Sequence, residues 1–480
     1  MNKINIAKQI IIGVVFSLII TSCSDFLGTI PKGEKIPQTY EDYNAFIKYY
    51  ENHYFDNMQQ ICLLNDIFKT DANMNSAELI RINYMWDEAA DRKVQDNNPM
   101  LSSNASPYNY GYKAISHWNL IIEDADNLTE CTIEQKAMIK AQAKVLRAMT
   151  YFHLTNYFAD QYTKEKAATT LSIPLITSAS VEAKSPQATI EQMYKFILSD
   201  LDETSFNALP LLGETPFHPT RGAGYAILAR VYLQMGDYDN ALIYADKALA
   251  INDKLYDWRP YYATNKANYD DPANYTAGYP YVTLDNPENY IFAFSSMASY
   301  AYSLSGTTFA LPIERANRFE KGDLRLKTKW KYRTYSTGNR YTGIRNDNFN
   351  GGGITTPEMY YIKAECLARK NDLLGAMALV NKVRKTRILA ADYKPLSAAS
   401  FEEAIKYIRT DKENEYLQTA IPFWEMRRFN KDAKFATALS KEYKGVTYTL
   451  KPDSHLWIMP FAESVVNNPG NNDIQQNTVR

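Results

Sequence analysis

Trp424, Glu425, Arg427 and Arg428 crowd a flat ring, a carboxylate and two guanidinium forks into one short run. Arginine forks pair bidentately with oxyanions, so this run could hold a phosphate or carboxylate ligand. The plainer expectation is structural. Arg427 and Arg428, with Arg147 in an apolar stretch at 133–158, would pair with acidic side chains of neighbouring helices. The five histidines, His53, His117, His153, His218 and His455, form no HExxH sequence and no i, i+4 pair, so nothing local supports a metal site. The sequence has no GxSxG elbow, no phosphate-binding glycine loop and no CxxC pair. A glycosidase acid–base pair is assembled by the fold rather than by spacing, so the 54 acidic residues alone do not decide against one. No local motif marks a catalytic residue, a metal site or a cofactor, and none is expected.

A different chemistry has better support. Sugars rest their C–H faces on flat aromatic rings while planar polar groups hydrogen-bond the hydroxyls. The chain has 37 Tyr, 20 Phe and 6 Trp. Two stretches set rings beside such groups. The first is 65–86, with Asn65, Asp66, Asn73, Arg81, Asn83, Tyr84 and Trp86. The second is 256–341, with Trp258, Tyr261, Tyr262, Tyr281, Trp330, Tyr335 and Tyr341, and it holds thirteen of the 37 tyrosines. Any one of these rings could equally serve packing or a contact with another protein.

The elements that must position them are helical. Residues 220–251 repeat apolar and small residues at helical spacing (Tyr225, Leu228, Ala229, Tyr232, then Ala241, Ala245, Ala248), and Gly236-Asp237 interrupts the run with a turn. This is one tetratricopeptide-like helix hairpin. A second copy lies at 356–388, with Tyr360, Ala364, Leu367, Ala376 and Val383 in register and Asn371-Asp372 at the turn. Looser helices are expected at 110–128, 132–158, 189–204 and 400–417, with Thr132 and Thr189 as helix starts. A single such hairpin cannot bury its own apolar face, so several must stack. Residues 252–355 show no sustained helical period, and 430–480 reads as irregular chain folded back on the body.

Composition narrows the class. Lys and Arg number 53 against 54 Asp and Glu, with no basic stripe, so nucleic acid is not an expected partner. Four cysteines, Cys23, Cys62, Cys131 and Cys366, are too few for a disulfide scaffold, and Cys366 reads as a small buried residue. The N-terminus explains the first. A short basic start and an apolar run too short to span a bilayer lead into Ile20-Thr21-Ser22-Cys23. This matches a bacterial lipoprotein cleavage box, with cleavage before Cys23 and lipid on its thiol. Several acyl chains hold a protein stably on a membrane, so the mature chain is expected to be tethered rather than spanning.

Taken in order, these motifs resemble the SusD/RagB family of nutrient-uptake outer-membrane lipoproteins. Cys23-Ser24-Asp25-Phe26-Leu27 with Pro31 resembles its mature start, 141–160 its long basic and aromatic helix, and 221–249 its characteristic repeat. Lys321-Gly322-Asp323-Leu324-Arg325 is similar to its Gly-Asp-Pro-Arg element, with Leu324 replacing the proline; 414–430 and 456–477 resemble its double-arginine and closing segments. The resemblance implies an all-α, SusD-like fold of tetratricopeptide-type hairpins with long loop insertions. It divides the chain into a signal peptide (1–22), an N-terminal helical region (23–251), an aromatic insertion (252–355) and a C-terminal region (356–480). It implies a non-enzymatic, surface-exposed outer-membrane protein, lipidated at Cys23. Such a protein captures oligosaccharide for a SusC-like TonB-dependent transporter. Family members hold ligand with loops from the two aromatic stretches, which gives the candidate ligand residues Asp66, Arg81, Asn83, Trp86, Tyr281, Trp330 and Tyr341, with Trp86 and Trp330 foremost. Two other readings remain open: the same machinery binding peptides, and a protein-interaction scaffold that binds no nutrient.

Overall fold

The computed structural model describes residues 37–75, 78–92, 107–180, 186–270, 284–295, 310–343, 350–468 and 474–478. Cys23, the signal peptide and Tyr281 lie outside the described residues. Helices dominate, and the strands are short and paired two by two.

In chain order the helices are α1 (Tyr40–Lys48), α2 (Met58–Leu63), α3 (Asp71–Asn75), α4 (Glu78–Met85), α5 (Pro107–Asp124), α6 (Ile133–Phe158) and α7 (Ile190–Asp200). They continue as α8 (Arg221–Met235), α9 (Tyr238–Ile251), α10 (Trp258–Asp270), α11 (Ile313–Ala316) and α12 (Leu324–Lys329). The last are α13 (Thr356–Arg369), α14 (Leu373–Arg387), α15 (Phe401–Glu415), α16 (Ile421–Asn430) and α17 (Glu463–Val466). Thr132 and Thr189 start their helices as expected, each in a capping box closed by a glutamine three residues on, Gln135 and Gln192. Gly236 ends α8 at φ 74, a left-handed conformation that costs glycine nothing. Asn371 takes the same place after α13 at φ 65.

The two tetratricopeptide-like hairpins are α8–α9 and α13–α14, and they stack directly, α9 against α13. Ala241, Ala245 and Ala248 are fully buried on α9, which lets the helix axes approach closely. Helices α5, α6 and α7 form a second stack, with α6 buried along most of its length. One apolar core runs through both stacks, from Tyr40 to Ile474.

Two expectations change. The insertion contains a helix, α10. Trp258, Tyr262 and Tyr269 lie on one side of it and pack with Leu324, so the stripe is aromatic rather than aliphatic. The tail is not wholly irregular. Leu439–Tyr443 and Val446–Leu450 form an antiparallel hairpin whose turn, Lys444-Gly445, has φ 51 and 76.

Buried ion pairs fasten the insertion and the C-terminal segment to the helices. Arg387 holds Glu288 and Glu415, each at 2.8 Å. Arg325 holds Asp323 at 2.7 Å and Asp411 at 2.6 Å. Arg230 pairs with Glu358 at 2.6 Å and Arg147 with Asp200 at 2.7 Å. Arg428 meets Glu365 and Glu425, as expected of a structural arginine. Arg427 differs: its guanidinium donates to the carbonyls of Asn156 and Ala159 at 2.7 and 2.5 Å. It satisfies the open C-terminal end of α6 rather than a carboxylate.

Candidate functional site

The two aromatic stretches meet. Phe68 N donates to Ala310 O at 2.6 Å, and Leu311 and Tyr341 exchange two backbone hydrogen bonds of 2.8 and 3.0 Å. Arg315 Nε donates to Asp66 Oδ1 at 2.7 Å, and its Nη1 to Asn414 Oδ1 at 2.8 Å. Asp66 is buried in this contact. Its carboxylate locks the loop after α2 to α11.

On this base lies a hairpin of Trp330–Arg333 and Arg340–Gly343. Trp330 is 6% exposed and packs with Leu311, Ala316, Phe319 and Leu417 under the hairpin. The rings that reach solvent are its neighbours. Tyr332 is 49% exposed and meets half-buried Tyr341 edge-on at 5.5 Å. Arg340 is buried between Tyr335 and Phe68, 3.8 and 4.9 Å from the two ring centroids, and donates to Thr337 Oγ1 and Gly338 O. Tyr332, Tyr335, Tyr341 and Phe68 thus form a partly open aromatic shelf stiffened by a buried guanidinium.

The second half of the site follows α4. Asn83 is fully buried, donating to Gln59 Oε1 at 2.9 Å and accepting from Arg92. Arg92 also donates to the carbonyls of His455, Leu456 and Ile458, which pins the tail beneath α4. Arg81 is half-exposed, and its carboxylate neighbours Glu78 and Asp87 stand at 3.6 and 3.9 Å, loose enough to leave donors available.

Trp86 adopts φ 53 and is 4% exposed. Such a backbone costs on the order of 1–3 kcal/mol in a non-glycine residue. Its indole donates to Leu63 O at 2.9 Å. Lys441, from the C-terminal hairpin, lies 4.0 Å from the ring centroids of both Trp86 and Tyr84. The Lys441 ammonium has no hydrogen-bond partner among the described residues, and burial pulls it down to about 7. In this arrangement the face of Trp86 is taken by a lysine.

Beside Trp86 a cleft of about 620 Å³ opens between α3–α4 and the C-terminal hairpin, walled by Arg81, Trp86, Asp87, Glu88, Tyr443 and Tyr448. Asp71 accepts from Lys444 Nζ at 2.6 Å and from the Tyr443 hydroxyl across its rim. The sequence reading missed Tyr443, Tyr448, Tyr332 and Glu88. The apolar alternation that would reveal the C-terminal hairpin is weak, because its strands carry Ser440, Glu442, Thr447 and Thr449 on one face and Lys441 on the other. The Lys-Gly turn was the available signal.

No cluster of three potential metal ligands occurs among the described residues. His53 is buried against Ile47 O, and burial holds it down to about 4. Cys62, Cys131 and Cys366 are free thiols; burial pushes Cys62 up to about 11 and Cys366 up to about 12. No helix among the described residues is long and apolar enough to cross a membrane.

Comparison with known proteins agrees with this architecture. Residues 25–233 match the SusD-like family model described as starch-binding associating with outer membrane. A SusD superfamily protein from Bacteroides thetaiotaomicron VPI-5482 superposes with a TM-score of 0.66 at 19% identity, covering 92% of this chain and 99% of that one. One from Bacteroides vulgatus ATCC 8482 reaches 0.68 at 16% identity, with the same coverage. Surface glycan-binding protein A from Bacteroides uniformis gives 0.64 at 16%, also covering 92% and 99%. A comparison with curated proteins gives no match. The SusD-like sequence pattern thus lies in residues 25–233, and the fold is shared with these solved structures over 92% of the chain.

Proposed function

We propose that the protein is a glycan-binding lipoprotein of the outer membrane, tethered through Cys23. It captures oligosaccharide at the cell surface and passes it to a SusC-like TonB-dependent transporter. It acts as a binder and not as an enzyme. The observation that carries this reading is the position of the family match: residues 25–233 include the 65–86 stretch and the strained Trp86, beside which half-exposed rings and open polar groups face one cleft. The similarity to surface glycan-binding protein A supports the ligand class.

In this reading sugar faces rest on the shelf of Tyr332, Tyr335 and Tyr341, while Arg81, Asp87 and Glu88 hydrogen-bond hydroxyls. Asp66, Asn83, Trp86 and Trp330 contribute from beneath by fixing the loops that carry those groups. Affinity electrophoresis of the mature chain against soluble polysaccharides tests it, with calorimetry on the oligosaccharides of any hit. Binding of a glycan at micromolar to millimolar concentration is the expected result. Binding of peptides alone would overturn the ligand class.

A further inference from the structure

The C-terminal hairpin has one face turned toward the body. Its register pairs Leu439 with Leu450, Lys441 with Tyr448 and Tyr443 with Val446, so these six side chains share that face. From root to tip the face changes character. Leu450 is buried in the core, Lys441 sits on Trp86 and Tyr84, and Tyr443 and Tyr448 stand half-exposed in the 620 Å³ cleft. The hairpin is tied down at two places, Asn65 Nδ2 to Ser440 O at 3.0 Å and Lys444 to Asp71 at 2.6 Å.

We propose that this hairpin is one wall of a subsite for a neutral oligosaccharide, with Tyr448 as its stacking ring and Glu88 and Arg81 as its hydroxyl-binding groups. The proposal rests on the glycan reading above and deepens it. The cleft falls within the ~300–1,000 Å³ typical of small-molecule sites. Its walls combine aromatic rings with polar groups that have spare capacity. Among the described residues Glu88 is exposed with no side-chain partner, and Arg81 has only loose contacts. The charge balance bears on the ligand: Asp71, Asp87 and Glu88 line the cleft with Arg81 and Lys444, and Lys441 lies behind Trp86, so no surplus of cations is present to recruit uronic acids or sulfated sugars and a neutral chain fits best. The cleft is open to solvent, so a chain could enter without the hairpin moving.

The test uses the mature chain and its variants Tyr448→Ala and Glu88→Gln. Binding is measured by affinity electrophoresis and calorimetry with starch, xyloglucan and galactomannan as neutral probes, and polygalacturonate and chondroitin sulfate as acidic ones. Thermal melting verifies the fold of each variant. The expected result is that one or more neutral glycans bind, and that Tyr448→Ala weakens the binding roughly two- to tenfold at unchanged melting temperature. Glu88→Gln should weaken it severalfold, and because it alters an exposed loop it keeps the test valid if Tyr448→Ala perturbs the hairpin. Neutral-glycan binding left unchanged by both variants would overturn the subsite while leaving the glycan reading intact. Binding of the acidic probes alone would also overturn it. Failure of the unmodified chain to bind any glycan would overturn both readings.

Discussion

Replacing Arg387 with methionine should be among the most damaging single changes in the molecule. The side chain is fully buried at the end of α14 and holds two carboxylates: Glu288 of the insertion at 2.8 and 3.0 Å, and Glu415 of α15 at 2.8 and 3.1 Å. It also donates to Tyr256 O at 2.8 Å. Methionine fills much of the volume but leaves two buried acids facing each other. Breaking a buried pair by removing one partner costs on the order of 3–5 kcal/mol. The loss should depend on pH. In the native protein burial alone would raise Glu415, but Arg387 and Arg325 outweigh it and hold the carboxyl down to about 2. Its stabilising contribution is present above the normal carboxylate range and is lost as pH falls toward 2. Glu288 has its pKa raised, by burial first and by the charge of Glu415, with Arg387 opposing. Without Arg387, Glu288 should rise further, while Glu415, which keeps Arg325 at 3.2 Å, is held down less firmly, so the folded variant takes up protons more readily than the folded parent. The deficit of the variant relative to the parent should therefore shrink as pH is lowered from 7 to 5. Urea unfolding followed by fluorescence and circular dichroism at several pH values measures this. A variant within about 1 kcal/mol of the parent, or a deficit that stays constant with pH, would refute the argument.

Three further outcomes are expected. Gly236→Val should cost about 1–3 kcal/mol from backbone strain alone, since an added Cβ meets nothing within 4 Å, and calorimetric melting checks it. Trp330→Ala should destabilise by roughly 3–5 kcal/mol as a core deletion, whereas Tyr332→Ala should leave the melting temperature unchanged and weaken glycan binding several-fold; equal melting shifts would contradict the division of roles. Cys23→Ala should leave the protein unacylated and soluble or mislocalised with ligand binding intact, read by fractionation and acyl labelling, and continued acylation of the variant would refute the anchor.

The helical body was legible because its signals are local. Gly236 and Asn371 mark turns, Thr132 and Thr189 mark starts, and alanines at helical spacing mark the close contact of α8 and α9. The proposed ligand face was legible only as composition. Nothing local says that Trp330 is buried while Tyr332, two residues on and on the same side of the strand, is exposed, because the difference is one of position: Trp330 lies at the root of the hairpin against the body and Tyr332 nearer its tip. Trp86 is similar: its burial depends on Lys441, more than 350 residues away. The helix α10 escaped because its buried stripe of Trp258, Tyr262 and Tyr269 sits among polar residues. The role of Arg427 escaped because a helix end that needs donors leaves no mark in the sequence of the donor.

The buried charges join residues that leave the ribosome at different times. Arg92 waits for the carbonyls of 455–458, Arg230 for Glu358, and Glu288 for Arg387 and Glu415. The end of α6 waits for Arg427. A nascent chain halted at residue 233 would hold the whole family signature and yet leave two arginines without their acceptors. The native fold can close only after the last fifty residues have emerged, so the signature segment alone is a poor unit for expression, whereas changes on the outer face of the C-terminal hairpin leave these long-range closures untouched.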